Sequence, residues 1–346
     1  MQSSSLNAPK SVPSEGSWAS VVAVSLGAFV LVSSECAPIG LLSQIANDLK
    51  ITEGEAGLLI TFPGVMAAIA APISISLFGK VNRRFILCGL LLALSLSNFV
   101  VAISTSIFPV LLARALLGVN LGGFWTIATS VGSRLRPSQQ TLRATSIIYS
   151  GISMGTVAGV PASTLLGEWL GWRTTFSLWG LIGFFALVGL VRTLPSLPPL
   201  PRLAVNGISS LIRLPKLRIG LVYIVLMLVA HFSAYTFVAP FLEESAAITG
   251  SLLSTFLLAY GIAGFAGNWL GGWYAGKNLT KTIAIAATGM TLSLASLMFS
   301  NSNGISLLGI VGWGMFFGAL PITTQLYVFN AAPNHKENIA AISVSI

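Results

Sequence analysis

Ten runs of roughly twenty apolar residues follow one another along a single 346-residue chain. They cover 18–42, 56–79, 85–105, 107–131, 144–166, 172–192, 219–242, 252–275, 281–300 and 304–329. As helices rising 1.5 Å per residue, such runs cross a hydrocarbon layer about 30 Å thick. Inside lipid a backbone must satisfy its own hydrogen bonds, which leaves helices and closed barrels. A barrel would show alternating segments of about ten residues, and this sequence shows long unbroken runs instead. The expected fold is therefore an all-α membrane protein. Composition agrees: 54% of residues are hydrophobic and 8% charged, against about 25% charged in soluble domains. That excludes a soluble enzyme, a disordered chain and a nucleic-acid binder. The 35 glycines suit helices packed closely in a bilayer.

The basic residues alternate between loops. Fifteen of the 18 fall on one side: Lys10, Lys80, Arg83, Arg84, Arg134, Arg136, Arg143, Arg192, Arg202, Arg213, Lys216, Arg218, Lys277, Lys281 and Lys336. The other side has only Lys50 and Arg173, with Asp48, Glu53, Glu55, Glu168, Glu243 and Glu244. The positive-inside rule then places the N-terminus and the basic loops in the cytoplasm, and a miscounted helix would break the alternation. Residues 1–17 are polar and the first run is longer than a signal core, so 1–17 reads as a cytoplasmic tail before a retained helix. Cys36 and Cys88 both lie in apolar runs and read as free buried thiols, without metal-ligand spacing.

The longest loop, 193–218, is Pro-rich and then basic, and it divides the chain into halves 18–192 and 219–346. Across it, Ile51-Thr52, Gly64 and Gly79-Lys80 align without gaps to Ile248-Thr249, Gly261 and Gly276-Lys277. Ala37-Pro38 and Ala239-Pro240 stand at matching helix ends. Such duplication is common in transporters.

Three stretches carry a resemblance. The run Gly151-Ile-Ser-Met-Gly155-Thr-Val-Ala-Gly159-Val-Pro161 through Gly167 resembles the antiporter motif of the drug:proton antiporter group of the major facilitator superfamily. Arg114-Ala-Leu-Leu-Gly118 is similar to that superfamily's fourth-helix motif. Gly79-Lys-Val-Asn82-Arg83-Arg84 is a degraded copy of its loop signature, with Asn82 where an acid is expected. Within the group, Ser34-Glu35-Cys-Ala-Pro38, Leu121-Gly-Gly-Phe-Trp125, Leu194-Pro-Ser-Leu-Pro198 and His231-Phe-Ser-Ala-Tyr235 resemble the bacterial purine ribonucleoside efflux pumps. The resemblance implies two six-helix halves. On that count residues 338–346 start an eleventh helix that rises only about 14 Å. The chain is expected to be truncated there and, as it stands, poorly stable and inactive.

A charge at mid-bilayer costs about 2.5–3.5 kcal/mol even on the lenient insertion scale, which makes intramembrane ionisable residues functional candidates. Glu35, Arg114 and His231 are the clear cases. With helix ends at Leu42 and Ile107, Glu35 and Arg114 lie at equal depth, about 10 Å below the surface. Glu35 reads as a proton-coupling acid and Arg114 as its modulator; a static buried ion pair is the other reading. His231 is either a proton or substrate group or a packing histidine. Polar and aromatic candidates for a substrate cavity are Asn120, Trp125, Tyr149, Tyr235, Tyr260, Asn268 and Gln325, each of which also suits plain helix packing. An enzyme is not expected, since HExxH, GxSxG, P-loop and paired-carboxylate patterns do not occur.

The expected function is proton-coupled efflux of a small solute by alternating access, with purine ribonucleosides as the implied substrates. The alternatives are a sugar or multidrug exporter or an inactive truncated product. Expected partners are the solute, protons and membrane lipid, without nucleic acid, cofactor or metal. A monomer in a bacterial inner membrane is expected.

Overall fold

The computed structural model describes residues 17–78, 81–198, 214–299 and 302–331. The expectations for residues 1–16, Lys80, Arg202, Arg213, Lys336 and the segment 338–346 lie outside the described residues.

Among the described residues every long element is a helix. They are α1 Trp18–Leu49, α2 Glu53–Phe78, α3 Arg83–Ile103, α4 Ile107–Leu135, α5 Thr141–Leu170, α6 Trp172–Thr193, α7 Pro215–Tyr235, α8 Val238–Ala246, α9 Gly250–Met298 and α10 Asn303–Ala331. Each apolar run corresponds to helix, with two differences in segmentation. The run 219–242 is broken at Thr236 and Phe237, giving α7 and the short α8. The runs 252–275 and 281–300 join as α9, which bends at Asn278 (φ −156°, ψ 94°). Eight of these helices are long and apolar enough to cross a membrane. α5 is not among them, because its Gly, Ser and Thr residues lower its hydropathy. α1 also runs seven residues past the expected Leu42.

Local chemistry sets the boundaries. The Ser17 side chain accepts the Ser20 N–H and starts α1. Thr52 and Glu55 form a reciprocal capping box at α2, with Thr52 N–H to Glu55 Oε2 at 2.8 Å and Glu55 N–H to Thr52 Oγ1 at 3.2 Å. The aligned segments share a local form: Lys50 and Ala247 both take the left-handed conformation just before Ile51-Thr52 and Ile248-Thr249. Thr52 caps α2 and Thr249 is the N-cap of α9.

Two cores result. One is built from α1, α3, α4, α5 and α6, around Leu94, Leu117, Phe176 and Trp179. The other is built from α7 to α10, around Leu257, Tyr260, Ile310 and Trp313, but it also takes in Ile39 of α1 and Val160 of α5. The two halves therefore share apolar packing through α1 and α5.

The charge alternation becomes two ends of the bundle. At the acidic end Asp48 pairs with Arg173, and Trp172 Nε1 donates to the same carboxylate at 3.1 Å. Arg173 also donates to the Ser104 carbonyl at 3.0 Å, tying α1, α3 and α6. At the basic end the Arg136 and Arg143 guanidinium groups lie 4.6 and 5.1 Å from the Trp18 ring centre. There Asn82, which stands where an acid is expected, works as an amide clamp. Its Oδ1 accepts the Arg84 and Leu197 N–H groups, and its Nδ2 donates to Ser196 Oγ at 2.6 Å. The loop before α3 is thus held to the Leu194–Pro198 stretch without a carboxylate.

Candidate functional site between the halves

The site begins with two prolines. Pro38 and Pro63 lie inside α1 and α2, and a proline removes the hydrogen bond that the carbonyl four residues earlier would accept. The freed carbonyls are Ser34 and Leu59. Arg114 of α4 reaches both: Nη1 donates to Ser34 O and Nε to Leu59 O, each at 2.8 Å. Its third donor, Nη2, meets the backbone carbonyl of Glu35 at 2.8 Å. Arg114 is 1% exposed, so its charge survives burial only because these oxygens replace water. Asn98 adds an Nδ2 hydrogen bond to Ser34 Oγ at 3.0 Å.

The structure thus brings Glu35 and Arg114 together, but not as a carboxylate–guanidinium ion pair. Among the described residues the one salt bridge is Asp48–Arg173. The static buried pair is corrected by proline chemistry: the guanidinium is already committed to three backbone oxygens. The expected level match holds: Arg114, seven residues into α4, meets the Glu35 carbonyl, while α1 continues fourteen residues beyond Glu35 to Leu49, about 21 Å along the axis. Glu35 is half-buried, and Cys36 beside it is a free, half-buried thiol, as is Cys88.

The glycines of α5 face α1. A side chain at Gly155 would meet Phe29 O at 2.9 Å, and one at Gly159 would meet Ser33 Cα at 2.9 Å. Gly151 and Gly167 are closed off by Ser25 and by Leu41 with Gln44. Pro161 frees the Val157 carbonyl, and Gly261 of α9 comes so near that an added Cβ would lie 2.7 Å from that oxygen. Ser254 Oγ donates to Pro161 O at 2.8 Å. One motif thus serves two interfaces, glycines toward α1 and a proline bend toward α9.

Contacts between the halves gather toward the acidic end. Besides Ser254–Pro161, Ser43 Oγ donates to Glu243 Oε2 at 2.6 Å, and Gly250 lies against Glu168. Toward the basic end the facing surfaces are exposed. Met154 and Ser150 continue the α5 face below Val157, and Asn268, seven residues after Gly261, continues the α9 face. The arrangement is a cleft closed at the acidic end and open at the basic end.

At its inner end, in the second half, lies a cluster of rings. His231 stacks on Phe317 (3.4 Å between centres, 9°) and on Tyr235 (5.1 Å, 22°), and Tyr235 stacks on Tyr260 (4.7 Å, 26°). Trp313 stands edge-on to His231, Tyr235 and Tyr260. His231, Tyr260 and Trp313 are 2%, 7% and 1% exposed. Three of their polar atoms, His231 Nδ1, Tyr260 OH and Trp313 Nε1, have no hydrogen-bond partner. Each such atom costs roughly 1–3 kcal/mol.

The remaining candidates scatter. Asn120 is buried inside the first half and lines a cavity of about 10 Å³ with Leu31, Leu91 and Phe124. Tyr149 is exposed on α5 and Gln325 on α10, the latter in one helical stripe with Phe317 and Pro321. The Trp125 side chain lies outside the described residues. Sequence reasoning missed Trp313 and Phe317. The signal was the string Gly312-Trp313-Gly314-Met-Phe-Phe317-Gly318: Gly314 and Gly318 pack on the Tyr260 and Gly264 backbone, which carries Trp313 and Phe317, the residues just before them, into the cluster.

Residues 24–345 match the Major Facilitator Superfamily. The chain belongs to this superfamily. The superfamily and the structural neighbours below are transporters rather than enzymes. It is 31% identical over 340 residues to a Pseudomonas aeruginosa protein named transcription regulatory protein OpdE, covering 96% of this chain and 84% of that one. It is 28% identical over 330 residues to the Escherichia coli purine ribonucleoside efflux pump NepI, covering 95% and 83%. Among solved structures, a variant of the nucleoside transporter NupG superposes with a TM-score of 0.78 at 12% identity, over 94% of this chain and 86% of that one. A bacterial homologue of the human lysosomal transporter Spinster, in an inward-facing, occupied conformation, gives 0.72 at 16% identity, over 94% and 77%. The chain is therefore a multi-pass membrane transporter of this fold.

Proposed function

We propose that the protein is a proton-coupled exporter of a small solute, working by alternating access, with Glu35 as the proton-carrying group. One observation carries the reading. Glu35 is a half-buried carboxylate within α1, beside Cys36, which packs against the core of the other half, and its neighbour Arg114 is held by backbone carbonyls rather than by that carboxylate. An acid free of a fixed partner can take up and release a proton as the cleft changes its water content, while the fixed positive charge beside it keeps the ionised form accessible. Rocking of the halves would close the basic end and part the Ser43–Glu243 and Pro161–Ser254 contacts. The basic end is read as cytoplasmic, the N-terminus with it, in a bacterial inner membrane. Purine ribonucleosides are the first substrates to try, because the pump NepI resembles this chain over nearly all of its length.

The test uses everted vesicles carrying the protein and a pH-sensitive dye. Adding adenosine or inosine should move protons in the wild type, and Glu35→Gln should abolish that movement at equal expression. Proton movement that persists in Glu35→Gln would remove this residue from the coupling step. A second reading, a membrane sensor feeding gene expression, follows from the name of the Pseudomonas relative; it predicts solute binding without flux in the same vesicles.

A further inference from the structure

We propose that the ring cluster of His231, Tyr235, Tyr260, Trp313 and Phe317 is the site that selects the solute, and that it takes a neutral, flat heteroaromatic ring. The proposal rests on the transport reading and names the chemistry its cargo must have.

Three observations point to a ligand. First, three buried polar atoms in one cluster lack partners: His231 Nδ1, Tyr260 OH and Trp313 Nε1. Buried polar atoms are almost always paired, so three orphans within neighbouring rings mark a place where a partner comes and goes. Second, the rings already form a stack. His231, Phe317, Tyr235 and Tyr260 lie within 26° of parallel in each observed stacking, and a flat ring can extend or enter such a stack with favourable offset geometry. Third, the cover over the cluster comes from the opposite half. Ile39 and Val160 belong to its core, and Cys36 packs against it. A relative motion of the halves changes that cover. On α10, exposed Gln325 and Pro321 and half-buried Phe317 form one helical stripe that ends at the same rings.

The orphan atoms narrow the class. Trp313 Nε1 is only a donor, so the ligand needs an acceptor on its edge. Tyr260 OH and the His231 imidazole nitrogens can each donate or accept a hydrogen bond, which suits a ring edge with both donors and acceptors. A cation could use the ring faces, but it would leave the tryptophan N–H unpaired. A sugar without an aromatic ring would bring many hydroxyls to only three polar atoms.

The experiment uses the purified full chain with Cys88→Ser, so that Cys36 is the sole thiol. The ligands are adenosine and caffeine as neutral heteroaromatic rings, ribose as a sugar without an aromatic ring, and tetraphenylphosphonium as an aromatic cation. Cys36 alkylation and calorimetric affinity are measured for each. Adenosine or caffeine should slow Cys36 alkylation, and ribose and the cation should not. Tyr260→Phe keeps the ring and removes its orphan hydroxyl, and Trp313→Phe keeps an aromatic ring but removes the indole N–H with the five-membered ring that carries it. Each should weaken binding of the neutral ring about three- to tenfold, the loss of one buried hydrogen bond. Tyr260→Phe should not lower the thermal stability of the ligand-free protein, because the hydroxyl it removes has no partner there; a hydroxyl bonded within the fold would cost stability when removed. Equal protection by ribose or the cation, unchanged affinity in both variants, or no binding of either neutral ring would overturn the proposal. Proton-coupled export of a solute without an aromatic ring, unaffected by these variants, would overturn it while leaving the transport reading standing. Binding as expected without flux would do the reverse.

Discussion

If Arg114 is held mainly by carbonyls that two prolines release, its contribution should depend on those prolines. Replacing it with Met removes three hydrogen bonds to Ser34 O, Leu59 O and Glu35 O. Measured interhelical hydrogen bonds in membranes run from about 0.6 to 1.7 kcal/mol each, so Arg114→Met should cost about 2–5 kcal/mol. Now restore the helical donors with Pro38→Ala and Pro63→Ala. The N–H groups of residues 38 and 63 return, and Ser34 O and Leu59 O can be satisfied within α1 and α2. In that background two of the three bonds are no longer needed, and Arg114→Met should cost about 1–3 kcal/mol less than in the wild type. The assay is a double-mutant cycle by equilibrium unfolding in mixed micelles, with helicity as the readout. Arg114→Lys tests the same geometry from the other side, because one ammonium cannot reach three carbonyls on two helices as the planar fork does. A coupling near zero would show that the arginine acts through its charge on Glu35 and that the proline argument is wrong.

Three further outcomes are expected. Gly159→Leu should push α5 off α1, since even a Cβ there would lie 2.9 Å from Ser33 Cα; overpacking of this kind costs about 1–3 kcal/mol, and vesicle transport should fall with expression kept, so unaltered transport would make the glycine face passive. Burial raises the Glu243 carboxyl above its ordinary range, with Glu53 and Glu244 adding to the rise and the Ser43 hydroxyl opposing it. The folded protein then holds this proton more tightly than the unfolded chain, so stability is highest below about pH 4.3 and falls as pH rises toward the shifted value; Glu243→Gln should flatten that part of the thermal-stability profile, and an unchanged slope would assign it to another group. Reporter fusions after Arg136 and Lys281 should read cytoplasmic and those at Glu53 and Glu244 external, and one inverted position would undo the orientation.

The fold was legible because lipid makes the sequence code coarse. A run such as 107–131 needs only length and apolarity to be read as a crossing, and the charges between runs report which end each loop occupies. What the runs did not carry was where one helix breaks and another continues. Thr236 and Phe237 interrupt a run that hydropathy reads as one crossing, whereas Asn278 lies in a polar gap where α9 merely bends. Hydropathy measures solvent preference and is blind to the backbone angle at one residue.

At the site the division is different. Glu35, Arg114 and His231 stood out because burying a charge is costly, and that rule works on one residue at a time. Their partners did not stand out, because they are backbone oxygens and rings. Ser34 and Leu59 have nothing unusual in their side chains; they matter because Pro38 and Pro63 follow four residues later and leave their carbonyls empty. That link can be read from sequence: a proline inside an apolar run implies an unsatisfied carbonyl one turn earlier, and a lone arginine on a neighbouring run is the donor able to fill two of them at once. The ring cluster required more. Trp313 and Phe317 sit among glycines whose purpose shows only when α9 lies against them, at Tyr260 and Gly264. The pairing of α9 with α10 is a tertiary fact, so the aromatic half of the site became visible only in three dimensions, while the charged half was already written in the cost of putting an arginine into oil.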